Sequence, residues 1–147
     1  MKKFLRDNKI KGQHFIFKQS CHSVAEAATA VNASPREIVK SICMIDGGGN
    51  LIVAFVRGED RVSALWVGKA LHIKPPRKAT PREILEKTGY PCGGVPPFGY
   101  RAKFLIDPKV IETDTVYAGG GSENSLIKIS TKELQEVNQG KVIRVRE

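Results

Sequence analysis

Two glycine-rich segments carry the residues best suited to hold a ligand by main chain. The first reads Gly89-Tyr90-Pro91-Cys92-Gly93-Gly94-Val95-Pro96-Pro97-Phe98-Gly99-Tyr100 and the second Gly119-Gly120-Gly121-Ser122-Glu123-Asn124-Ser125. Glycine lets backbone N–H groups approach a ligand because no Cβ stands in the way. The prolines of the first segment stiffen it, so donors can be held in place before a ligand arrives. The pair suggests a site built of main chain; the competing reading is two turns between strands. Lys40 is the basic residue that stands apart. It interrupts an apolar strand candidate and shares a face with Ile38, Ile42 and Met44. On a buried face its ammonium needs a partner or a lowered pKa. In a cleft facing the glycine segments it could hold a phosphate or a carbonyl; at a strand end it would snorkel to water.

Other arrangements fail on chemistry. Val67-Gly68-Lys69-Ala70 lacks the leading glycine and the Ser/Thr of a phosphate loop. His14, His22 and His72 have no metal-ligand spacing. Cys92 has no base or cation near it in sequence to form a thiolate, so a nucleophilic role is not supported. Cys21, Cys43 and Cys92 form no CxxC pair and read as free thiols of a reducing compartment.

The elements that must position these residues are legible in outline. Ser23-Val24-Ala25-Glu26, Ser34-Pro35-Arg36-Glu37, Thr80-Pro81-Arg82-Glu83 and Ser130-Thr131-Lys132-Glu133 each fit a capping box, predicting four helix starts. Their glutamates are read as structural. Residues 60–71 fit a further helix with Val62, Leu65, Trp66 and Ala70 as its stripe. About seven strands are expected: 15–17, 38–45, 51–56, 103–106, 115–118, 126–129 and 142–145. The second and third form a hairpin around Asp46-Gly47-Gly48-Gly49-Asn50. This order predicts an α+β fold.

A chain of 147 residues, 41% hydrophobic and 27% charged, is expected to form one globular domain over residues 1–147 without needing a disulfide or metal. The N-terminus lacks a signal-peptide core and no apolar run reaches membrane-spanning length, so a cytoplasmic protein with no membrane partner is expected. The net charge of +9 suits a polyanion, most simply nucleic acid, or serves solubility alone.

Taken in order, His22-Ser23-Val24-Ala25-Glu26-Ala27-Ala28, Ile38-Val39-Lys40-Ser41, the Gly93–Gly99 segment and Gly119-Gly120-Gly121-Ser122 leading into Leu126-Ile127-Lys128-Ile129-Ser130 resemble the YbaK/ProX family of aminoacyl-tRNA deacylases. That family includes the editing domain inserted into bacterial prolyl-tRNA synthetases. The resemblance runs from about Phe15 to Leu134. It implies a single α+β domain around a strongly curved mixed sheet, and hydrolysis of the ester on a mischarged tRNA, that of proline most often; size exclusion of proline then points to alanine as the amino acid removed, with cysteine its nearest competitor. By resemblance, Lys40 is the functional lysine, anchoring a terminal phosphate or polarising the ester. Gly93 and Pro97 match the ends of a Gly-x-x-x-Pro loop, with Gly94 beside the ester carbonyl. Gly121 and Ser122 fall in the late loop, and His22 lies in one wall of the pocket. No metal or organic cofactor is implied. The expected partners are the acceptor end of an aminoacylated tRNA and prolyl-tRNA synthetase. A non-catalytic RNA-binding or regulatory module of the same fold is the alternative, and a metabolite-ester hydrolase a third.

Overall fold

A computed structural model describes all residues, 1–147. Its centre is the hairpin of β2 (Val39–Ile45) and β3 (Leu51–Arg57), turned by Asp46, whose Oδ1 accepts from the N–H groups of Gly48 and Asn50. Every residue of β3 is buried, which is why Leu51 to Val56 read as an uninterrupted apolar run before the buried Arg57. Two short strands flank the hairpin: β4 (Arg77–Lys78) pairs with the end of β2, and β5 (Lys103–Ile106) runs parallel to β3. With β8 (Lys141–Val142) parallel to β5, these strands form a mixed sheet ordered β4-β2-β3-β5-β8. A second, antiparallel sheet, β1-β7-β6, contains β1 (Gly12–Ile16), β6 (Thr115–Gly119) and β7 (Ser125–Ser130).

The architecture is thus α+β, with eight strands in two sheets rather than seven in one. The expected single curved sheet is divided because only one parallel bridge, Ile38 to Tyr117, joins the two sheets. At the other end of β2, β4 pairs only with Met44 and Ile45, and Cys43 accepts from the Ala79 N–H. Residues 39–42 therefore pair with β3 alone and present an open edge.

Helices frame this edge. α2 (Val24–Val31) starts at a complete capping box, with the Glu26 N–H donating to Ser23 Oγ and the Ser23 N–H to Glu26 Oε1. α4 (Pro81–Thr88) has the same box from Thr80 and Glu83. α6 (Thr131–Asn138) keeps only the hydroxyl half, from Ser130. Ser34 does not start an α-helix: residues 35–37 make one 3-10 turn without a side-chain cap. The chain has no room for more, since Ile38 is already bridged to Tyr117 and its carbonyl accepts from Gly58. α3 (Ala64–Leu71) begins later than the expected Asp60, because Val62 and Ser63 are tied to the C-terminal segment, and Ser63 becomes its cap. The expected strand over 142–145 gives way after Val142, where buried Asp107 takes the N–H groups of Val145 and Arg146. Two helices were not anticipated, α1 (Lys2–Asp7) and α5 (Pro108–Ile111).

Candidate active site

The open edge of β2 forms one wall of a cavity of about 420 Å³. The start of α2 supplies Cys21, His22 and Ser23, the first glycine segment supplies Cys92, Gly93 and Val95, and the end of β6 supplies Tyr117 to Gly119. Lys78 of β4 and Ile84 also line it. A more open depression of about 560 Å³ lies under the hairpin turn, between Asp46 and Arg77. Its Asp46 carboxylate is already satisfied by the turn.

The two glycine segments meet main chain to main chain. The Gly121 N–H donates to the Gly94 carbonyl (2.8 Å), and a Cβ on Gly94 would lie 2.7 Å from the Ser122 carbonyl carbon. Gly94 is therefore needed for this close approach. Its N–H donates to Pro91 and its carbonyl accepts from Gly121, so neither faces the cavity unpaired. Gly93 and Val95 are lining residues of the cavity, and the N–H of neither has an acceptor within the protein. Gly93 is in the left-handed region, φ +88°, and a Cβ there would overlap the His22 imidazole.

The first segment is clamped from several sides. Phe98 stacks on Phe4 of α1 with ring centroids 5.8 Å apart. Tyr100 donates its hydroxyl to the Pro96 carbonyl (2.6 Å), and Asn138 of α6 donates to the Pro97 carbonyl (3.0 Å). The second segment is held by His14, whose Nε2–H donates to the Gly120 carbonyl (2.9 Å), and by a cluster in which Ser122 Oγ contacts Asn124 and Ser125. Burial lowers the His14 pKa, keeping the ring neutral.

Among the residues singled out from sequence, His22, Lys40 and Gly93 line the cavity together. Gly94, Pro97, Gly121 and Ser122 are not among its lining residues; Gly121 and Ser122 pack against Gly94, and Pro97 is held by Asn138. Lys40 lies opposite Val56, whose side chain packs in the cluster under α3, and its Nζ donates to the Asp60 carbonyl. Its ammonium thus points along the α3 side of the sheet rather than at the glycine segments. Burial lowers its pKa; Asp60 opposes the shift while Arg61 and Lys78 add to it. The thiols are poor nucleophiles where their state is fixed by burial: Cys43 is pushed up to about 12, and Cys21 is also raised. Ser41 is a lining residue that the sequence did not mark: its Oγ is buried without a partner. Lys78 was also missed, because a two-residue strand leaves no periodic signal.

Comparison with known proteins gives a consistent pattern. A family described as an aminoacyl-tRNA editing domain matches residues 18–137. The uncharacterized protein YwhH of Bacillus subtilis (strain 168) is 31% identical over 128 residues, covering 86% of this chain and 81% of YwhH. The proline–tRNA ligase of Trichlorobacter lovleyi is 28% identical over 102 residues, 69% of this chain but 18% of the ligase. Among solved structures, hypothetical protein APE2540 superposes with a TM-score of 0.91 at 31% identity, covering 99% of this chain and 98% of that one. A protein proposed to be a trans-editing enzyme for prolyl-tRNA synthetase superposes with a TM-score of 0.85 at 30% identity, covering 92% and 87%.

Proposed function

This chain belongs to the aminoacyl-tRNA editing domain family, and on that premise we propose that it hydrolyses, in trans, the ester of proline tRNA mischarged with alanine or cysteine. The observation that carries this reading is the pair of unoccupied main-chain donors at Gly93 and Val95, held in a cavity wall that is clamped before any substrate arrives. An aminoacyl ester is already activated and needs no protein nucleophile. Water adds to its carbonyl carbon, and the oxyanion that forms accepts hydrogen bonds from the Gly93 and Val95 N–H groups. The carbonyl then re-forms, the bond to the ribose oxygen breaks, and that oxygen takes a proton relayed through the neighbouring ribose hydroxyl. The products are the free amino acid and tRNA. Orientation and oxyanion stabilisation are the protein's contribution. Lys40, placed beside Arg61 and Lys78, anchors the terminal phosphate; its position supports that role over polarising the ester.

A synthetase pocket that fits proline cannot strongly exclude smaller amino acids by binding alone, and a second, smaller site removes them. Such an enzyme works where tRNA is charged, in the cytoplasm, on products of prolyl-tRNA synthetase. The test is to charge one proline tRNA with alanine, cysteine or proline and follow ester loss under single turnover. Alanyl-tRNA is expected to be cleaved faster than prolyl-tRNA. Equal rates would refute size exclusion, and no cleavage of any of the three would favour the non-catalytic RNA-binding module.

A further inference from the structure

A line of cations leaves the cavity where Lys40 ends. Lys40 donates to the carbonyl of Asp60, and the next residue is Arg61. The C-terminal segment lies against this stretch: the Glu147 N–H donates to the Arg61 carbonyl, Val62 bridges to Arg146, and the Ser63 N–H donates to Val145. Arg144 is thereby carried to α3, where its guanidinium carbon lies 4.7 Å from the ring centre of Trp66. Lys69 Nζ lies 4.7 Å from the same ring, and Lys141 Nζ reaches the Ala70 carbonyl (3.4 Å).

Arg61, Lys69, Lys141 and Arg144 are all exposed, and none is in an ion pair. By contrast Arg146, in the same segment, is neutralised by buried Asp107 at 2.9 Å. Two cations gain from one indole, and with no carboxylate partner both charges stay available to an anion. The segment that supplies Lys141 and Arg144 lies beyond the residues matched to the family, 18–137, so family membership does not assign this surface.

We propose that Arg61, Lys69, Lys141 and Arg144, arranged around Trp66, form the docking track for the phosphodiester backbone of the tRNA acceptor arm. The inference rests on the proposed function for the identity of the RNA. With the esterified end in the cavity, the preceding phosphates must leave past Lys40, and the track continues from there. Phosphates match the track because each cation can be neutralised without reading a base, as a sequence-independent hold requires.

The test is binding of uncharged proline tRNA, measured by fluorescence anisotropy across a salt series, for the wild-type chain and for Lys69→Gln/Arg144→Gln. The double variant is expected to bind about tenfold more weakly at low salt, with a salt slope flatter by roughly 1.5, as two lost phosphate contacts require. Lys69→Arg/Arg144→Lys should restore the slope. Hydrolysis of an alanyl ester of adenosine, too short to reach the track, should be retained. Emission of Trp66, the single tryptophan, should change on adding tRNA. Should the glutamine variant not melt cooperatively, Arg61→Gln/Lys141→Gln removes the other half of the track. Unchanged affinity and slope in the folded variants overturns the proposal. So does a loss of affinity for prolyl-tRNA synthetase alone, which would make the track an acidic-protein contact. Weakened tRNA binding with neither ester cleaved, by variant or wild type, supports the track and instead defeats the hydrolytic reading.

Discussion

Lys40 shows how one side chain acts through its direction rather than its identity. Its stem lines the cavity, while its ammonium is held at Asp60 on the α3 side. Lys40→Ala should lower kcat/KM on mischarged tRNA by about 100-fold, since losing the cation that anchors the terminal phosphate forfeits binding that positions the ester in the transition state. Cys92→Ala, measured beside it, should keep most of its activity; a trapped acyl adduct on Cys92 would overturn the mechanism. Gly93 makes a different demand. With φ +88° and the His22 ring against its α-carbon, alanine would be strained by about 1–2 kcal/mol and would displace the imidazole. Gly93→Ala should therefore lose activity by a larger factor than its modest drop in melting temperature suggests. Wild-type turnover in that variant would show that His22 and the Gly93 N–H lie outside the reaction.

At the scale of elements, the caps decide where helices begin and so where the cavity walls stand. Ser23 both caps α2 and lines the cavity beside His22. Ser23→Ala should cost about 1 kcal/mol of stability, read from chemical denaturation, and should raise KM because the wall loosens. An unchanged KM would separate the α2 start from substrate binding. The α4 cap supplies a pH signature. Glu83 is bonded by Arg77 through two 2.7 Å contacts and by the Thr80 N–H, and its pKa falls to about 2. A carboxylate held below its unfolded value stabilises the fold above the unfolded pKa, and that stabilisation is lost as pH falls. Stability should therefore decline between the ordinary glutamate value of 4.5 and about 2, and Glu83→Gln should flatten this limb in acid melts.

For the whole molecule, charge sets the partner and the way it is held. The net charge of +9 is distributed over exposed side chains, and only a few of the cations are in ion pairs. Affinity for tRNA should fall steeply between about 50 and 200 mM salt, because each phosphate contact releases condensed counterions. A salt-insensitive affinity, measured by filter binding, would point to a small ester as the substrate. No helix is long and apolar enough to cross a membrane.

The sequence by itself determined what depends on near neighbours. The complete boxes at Ser23 and Thr80, the Gly-loop hairpin of β2 and β3 and the α+β order all follow from residues a few positions apart. It also marked Lys40, Gly93 and His22, which the fold brings to one cavity. Only the tertiary structure decided the rest, because those features are set by partners remote in sequence. The bridge from Ile38 to Tyr117 ended a helix at one turn, and as a single link it leaves the expected one sheet in two. Buried Asp107 turned the last expected strand aside to satisfy its own carboxylate. Gly121 donates to the Gly94 carbonyl and the Gly94 N–H is taken by Pro91, which leaves Gly93 and Val95 with the free donors. The Gly94 N–H is paired locally, but the groups that hold the segment in place, His22, Ser122, Phe4 and Asn138, are all remote in sequence, and only the folded chain brings them to it.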